Sequence, residues 1–385
     1  MKSLKLILTN KRYFSIVWVF SSLNIMIGTW VLYIPQVKEK LQLDDAQIGF
    51  ALFCLALGLL VFIPMVPIII NKIGLGKSTF FGICIFSIVF IGPHIAPSYV
   101  LLCVALFIVG VFSGLTDIAM NTVVSEIERK DNVNFMSAAH GFFSLGGAIG
   151  AVIGSVLIGV FEVAFYHVLI MTIFVIITNV LLNKQYFKIK EAQQESQEKV
   201  KLPIKQLKPL FVLGFLAMVI MGNEGAIEHW SSIYLTEVVH VHSENLAGIG
   251  FTLFSIMMTI GRFFGDGISA KIGSVKIVIL GCALASIGYL FVLLENLIFS
   301  VIGFGIIGLG LSVIIPELLR IAGTTENISA SKSISFVSGV GFLGFLLGPI
   351  ILGYISNGFS LKMSFVFLLC LSSLAVIVST LKLRK

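Results

Sequence analysis

Residues 110–124 read GVFSGLTDIAMNTVV, and residues 310–317 read GLSVIIPE. In each, a glycine precedes an acid by seven residues, and the two acids, Asp117 and Glu317, stand 200 residues apart. Both lie in apolar runs long enough to cross a bilayer, which takes about 20 residues. A carboxylate near the middle of such a span costs about 2.5–3.5 kcal/mol on insertion scales. Meeting that cost twice at one spacing points to a duplicated membrane domain whose acids face an internal site.

Other pairs recur at offsets of 199–201: IGFALF at 48–53 with IGFTLF at 249–254, KIGLGK at 72–77 with KIGSVK at 271–276, Trp30 with Trp230, and Gly141-Phe142 with Gly341-Phe342. The apolar runs predict twelve spans, near 14–34, 48–70, 78–96, 99–125, 135–159, 163–183, 209–235, 246–268, 276–294, 297–319, 333–356 and 361–381. The expected fold is all-α, with an N-terminal six-helix bundle at 1–183, a polar cytoplasmic linker at 184–208 and a C-terminal six-helix bundle at 209–385. Six is even, so the halves share one orientation, related by an axis along the membrane normal.

Composition agrees. The chain is 57% hydrophobic and 12% charged, where a soluble domain carries about 25% charge. Its net charge of +7 does not read as a nucleic-acid surface, because the basic residues sit between apolar runs. With the N-terminus placed in the cytoplasm, all 26 Lys and Arg except Lys38, Lys40 and Lys362 fall on the cytoplasmic side, so both termini are expected there. No small-residue cleavage site follows the basic N-terminus, so the first span is read as retained. The five cysteines lie inside apolar runs without a CxxC pair and read as reduced core residues. No HExxH, GxSxG, Walker loop or Cys/His metal spacing is present. We expect no enzyme, no metal and no cofactor.

The mid-span polar residues are the candidate site. Asn121 is one turn beyond Asp117 on the same face, and His140 lies two turns into the neighbouring span 5, where an imidazole and a carboxylate can share a proton. In span 7, Glu224 and Glu228 are one turn apart, repel when both are ionised, and precede His229 and Trp230. Asn24 in span 1 is the counterpart of Glu224, and Trp30 that of Trp230. Trp230 reads equally as an interfacial anchor or as a stacking group at the cavity. Glu317 has Arg320 at i+3, which favours a structural ion pair. Gly146, Gly150 and Gly154, like Gly344 and Gly348, read as close helix-packing stripes.

Residues 261–273 read GRFFGDGISAKIG, with Arg262 and Asp266 at i,i+4 and Lys271 beyond them. This stretch resembles the loop signature of the major facilitator superfamily, which implies a charge lock among Arg262, Asp266 and Lys271; in the first-half copy Asn71 stands where the family carries Asp. The segment from Asp117 to Asn121, and Ile34-Pro35-Gln36, are similar to the fucose-permease-like sugar–proton symporters, where the span-4 acid is implicated in proton coupling. Val31 stands where those symporters carry a span-1 Asp, so an acid pair between spans 1 and 4 is not expected. SAAHGFFSLGGAIGA at 137–151 and EGAIEHW at 224–230 resemble a poorly characterised bacterial branch of the same superfamily. The resemblance implies a monomeric, multi-pass protein of the bacterial inner membrane. It would move a small polar, sugar-like solute by alternating access, with protons as the coupling ion. The alternatives are an exporter of drugs or amphiphiles, and a membrane sensor that has lost transport.

Overall fold

The computed structural model describes residues 2–133, 135–161, 164–190, 208–323 and 330–383, and among these it holds helices and no strand. Eleven helices are long and apolar enough to span a membrane, and a twelfth, shorter apolar stretch covers Ile249–Gly265. In chain order, spans 1 to 6 are Lys11–Lys40, Asp45–Ile73, Leu75–Ile95, Tyr99–Asp131, Met136–Leu157 and Ala164–Leu182. Spans 7 to 12 are Lys208–Glu237, Ile249–Ile272, Ser274–Val292, Leu297–Ala322, Ala330–Gly358 and Leu361–Lys382. The apolar stretch of span 8 includes Arg262, and the helix itself runs on to Ile272. The expected linker falls mostly at 191–207, outside the described residues.

Local chemistry sets the ends. Asp44 and Gln47 form a reciprocal capping box at the start of span 2, satisfying two backbone N–H groups that the helix leaves open. Ser98, Asn296 and Ser360 cap spans 4, 10 and 12 with side-chain oxygens. The repeated KIG turn has one geometry in both copies: Gly74 (φ 97°, ψ 147°) ends span 2 and Gly273 (φ 87°, ψ 149°) ends span 8. Only glycine adopts that backbone without strain. Span 2 is broken by a 3₁₀ turn at Ile63–Met65. Pro64 there cannot supply the helical N–H and clashes with the preceding turn.

Packing repeats as the sequence does. Spans 1 and 5 pair as 7 and 11 do; spans 2 and 4 pair as 8 and 10; spans 3 and 4 pair as 9 and 10. The halves meet through span 5 on span 8 and, equivalently, span 2 on span 11. Spans 1 and 7 are the most enclosed of the candidate membrane helices, and side chains such as Val100, Leu181 and Ile298 are exposed on the outer surface, as lipid-facing positions are. In the paired helices the backbones nearly touch. A β-carbon at Gly28 of span 1 would lie 2.2 Å from the Gly147 carbonyl oxygen, and one at Gly344 of span 11 would lie 1.9 Å from that of Met218. Small residues there let van der Waals contact replace the hydrophobic driving force that lipid does not provide.

Candidate functional site

The polar residues inside the bundle form a path that crosses from one half to the other. In span 4, the Asn121 side-chain amide donates to Asp117 Oδ1 at 3.2 Å and to the Asp117 carbonyl at 2.9 Å. His140 Nε2 lies 3.1 Å from Asn121 Oδ1. That oxygen only accepts, so the imidazole proton is assigned to Nε2. Asp117 and His140 are therefore joined through Asn121, and the ring of Phe20 packs edge-on at 5.4 Å to hold the imidazole.

The path continues at Arg262. Charge patterning puts this residue at the loop end of span 8, but the structure turns it inward. Its Nη1 donates to Ser144 Oγ at 2.6 Å and to the His140 carbonyl at 3.2 Å, both in span 5 of the other half. Its Nε reaches the Ser312 carbonyl at 3.5 Å, and its Nη2 stands 3.7 Å from Glu224 Oε2. The physical reason is solvation. A guanidinium this deep is stable only with acceptors around it, and Ser144, two carbonyls and a carboxylate supply them. The side chain of Asp266 lies outside the described residues, and Lys271 is exposed.

One turn along span 7, Glu228 Oε1 is 3.9 Å from His229 Nε2. Asn24 donates to the Phe143 carbonyl at 2.9 Å, and its Oδ1 has no partner. Glu224, Glu228, Arg262, Asp117, Asn121 and His140 all keep some accessibility despite their depth, so the path borders open space.

Three sequence-derived candidates sit elsewhere. Trp30 and Trp230 are enclosed in the core, 2% and 0% exposed, so neither is an interfacial anchor. Trp30 packs edge-on against His94 at 5.2 Å, which places it between spans 1 and 3 of one half. Glu317 is buried and paired with Arg320 at 2.8 Å, and Arg320 also donates to Ser269 at 3.1 Å. This pair ties span 10 to span 8.

Sequence reading passed over a second cluster. Lys38 at the end of span 1 bonds both Asp45 of span 2 and Glu237 of span 7, and Ser356 of span 11 donates to Asp45. A cavity of about 620 Å³ lies beside it, lined by Gln36, Lys38, Glu39, Asp44, Glu237 and His242 among others. The signal was available: Lys38 and Glu237 are separated by 199 residues, the repeat offset, with opposite charges.

The sequence profile of the Major Facilitator Superfamily matches residues 14–324 and 238–385, which together span nearly the whole chain. The chain belongs to the major facilitator superfamily. An uncharacterised MFS-type transporter of Yersinia pestis is 27% identical over 348 residues, covering 88% of this chain and 87% of the relative. The membrane protein MosC of Rhizobium meliloti is 25% identical over 349 residues, covering 90% and 84%. The crystal structure of the nucleoside transporter NupG superposes with a TM-score of 0.73 at 14% identity, over 98% of this chain and 100% of that one. At that identity the likeness shows the fold alone. This major facilitator protein is a multi-pass membrane transporter of twelve helices in two six-helix halves.

Proposed function

We propose that this transporter is a secondary active carrier of a small polar solute, driven by protons. The supporting observation is the Arg262 contact. A cation of the second half is bonded to His140 and Ser144 of the first, beside Glu224. Two bodies that rock about a central site have to make and break such a contact in each cycle. Asp117 supplies a titratable group joined to the same span-5 histidine. A carboxylate and an imidazole at membrane depth are the usual means of moving a proton with a solute. The moving bodies would be residues 1–183 and 209–385, with the segment 184–208 and both termini on the cytoplasmic face of a bacterial inner membrane. An exporter of amphiphiles would need an apolar cavity, which six polar or charged side chains along one path do not provide.

The test is untargeted counterflow. Proteoliposomes are loaded with a polar metabolite extract, a pH gradient is imposed, and the retained solutes are read by mass spectrometry. Gradient-dependent enrichment of at least one polar solute by the wild type, lost with Glu224→Gln, supports the proposal. Enrichment of none overturns it.

A further inference from the structure

The groups along the central path are short of hydrogen-bond donors. Glu224 Oε1 is buried with no partner, while its Oε2 is 3.7 Å from Arg262, beyond hydrogen-bonding range. Among the described residues Glu228 has only His229, at 3.9 Å, also too far for a hydrogen bond. Asn24 Oδ1 is a third open acceptor. It stands 200 residues from Glu224, and the residues that occupy the same pair of helices at offset 199, Lys38 and Glu237, bond directly. Spans 1 and 7 are in contact, and the repeat makes Asn24 the span-1 counterpart of Glu224.

Charge points the same way. Asp117, Glu224 and Glu228 bring three carboxyl groups, and Arg262 is the one Lys or Arg linked to any of them among the described residues. Three of its five N–H groups are engaged by Ser144, His140 and Ser312, which leaves the two on Nη2 facing Glu224 from 3.7 Å. His229 cannot make up the deficit: it is 3% exposed and its Nδ1 has no partner. An anionic solute would meet two span-7 carboxylates with only a shared guanidinium in compensation. A bound proton would neutralise a carboxylate but would leave the 3.7 Å and 3.9 Å gaps unfilled.

We propose that the transported solute is a small hydroxyl-bearing primary amine, bound with its ammonium between Glu224 and Glu228 and its hydroxyls toward Asn24. An ammonium offers three donors and one positive charge, which matches both deficits. This rests on the reading of the central path as a transport site.

The test uses the full chain in nanodiscs and thermal unfolding, because a ligand that binds the folded state raises the melting temperature. Three amines are each compared with a matched alcohol and carboxylate: glucosamine with glucose and glucuronate, serinol with glycerol and glycerate, and ethanolamine with ethylene glycol and glycolate. At least one amine should raise Tm by about 2 °C or more above both of its partners. The rise should vanish in Glu224→Gln and Glu228→Gln and persist in Glu224→Asp, which keeps the charge, and in Glu317→Gln. A carboxylate or alcohol that stabilises as strongly as its amine overturns the proposal. So does an amine effect that survives both Gln variants, or nine compounds that leave Tm unmoved. Counterflow separates the two levels: enrichment of a neutral or anionic solute overturns the amine assignment and leaves transport standing, whereas enrichment of no solute overturns the transport reading itself.

Discussion

Lys38 and Glu237 hold equivalent places in the two repeats, 199 residues apart, and bond to each other where the halves meet. Equivalent residues meet only near the axis that relates their bodies, so this pair marks the pseudo-two-fold at one end of the bundle. Asp45 and Ser356 extend the bond to spans 2 and 11. Lys38→Met should release this end. In a chain whose native cysteines are replaced, a cysteine at Ser255, 2% exposed in span 8, should then react several-fold faster with a membrane-impermeant reagent applied from the Lys38 side. The exchanged pair Lys38→Glu with Glu237→Lys should return the rate toward that of the parent. An unchanged rate in Lys38→Met shows that the cluster does not hold this end closed.

Arg262 should matter to stability through its partner as much as through itself. Removing one member of a buried ion pair costs about 3–5 kcal/mol, because the other charge is left uncompensated. Arg262→Gln should therefore lower Tm markedly, and adding Glu224→Gln should recover a large part of the loss. If the two losses simply add, the residues are independent despite their 3.7 Å separation.

Asp117→Asn keeps size and hydrogen bonding but removes the titratable group. It should abolish pH-driven accumulation in counterflow while solute exchange persists. Asn121→Leu should damage the same step, since it breaks the only described link between Asp117 and His140. Full gradient-driven accumulation by Asp117→Asn removes the acid from the coupling mechanism.

Two glycines of span 11 make a matched test of packing. A β-carbon at Gly344 would lie 1.9 Å from the Met218 carbonyl oxygen, and one at Gly339 would meet nothing within 4 Å. Gly344→Ala should destabilise by about 1–3 kcal/mol, as overpacking does. Gly339→Ala should be neutral or stabilise by up to about 1 kcal/mol, because alanine is the better helix former. Equal effects on the unfolding midpoint would mean that spans 7 and 11 separate readily at that level.

Span count, duplication and family were legible in the chain, because each is written in short-range pattern. A bilayer demands about 20 apolar residues per crossing, and a gene-length repeat survives as constant offsets such as Asp117 with Glu317 and KIGLGK with KIGSVK. The turn glycines Gly74 and Gly273 followed from the same repeat. Pairing was legible where partners share a helix, as Glu317 and Arg320 do, and at the repeat offset, where Lys38 and Glu237 carry opposite charges.

What joins across helices was decided by the tertiary structure. Sequence placed Asp117 near His140 but could not show that Asn121 stands between them, because the contact depends on the rotation of span 5 against span 4. It left Glu224 without a cation, since no Lys or Arg occurs from Pro209 to Gly261. The partner is Arg262, the next residue, carried on an antiparallel helix that returns it to the depth of Glu224. Charge patterning reads Arg262 as a residue of the cytoplasmic end of span 8 because it treats a guanidinium as if alone. Ser144, two backbone carbonyls and Glu224 together solvate it, and only the packing of spans 5, 7, 8 and 10 brings those four to one place.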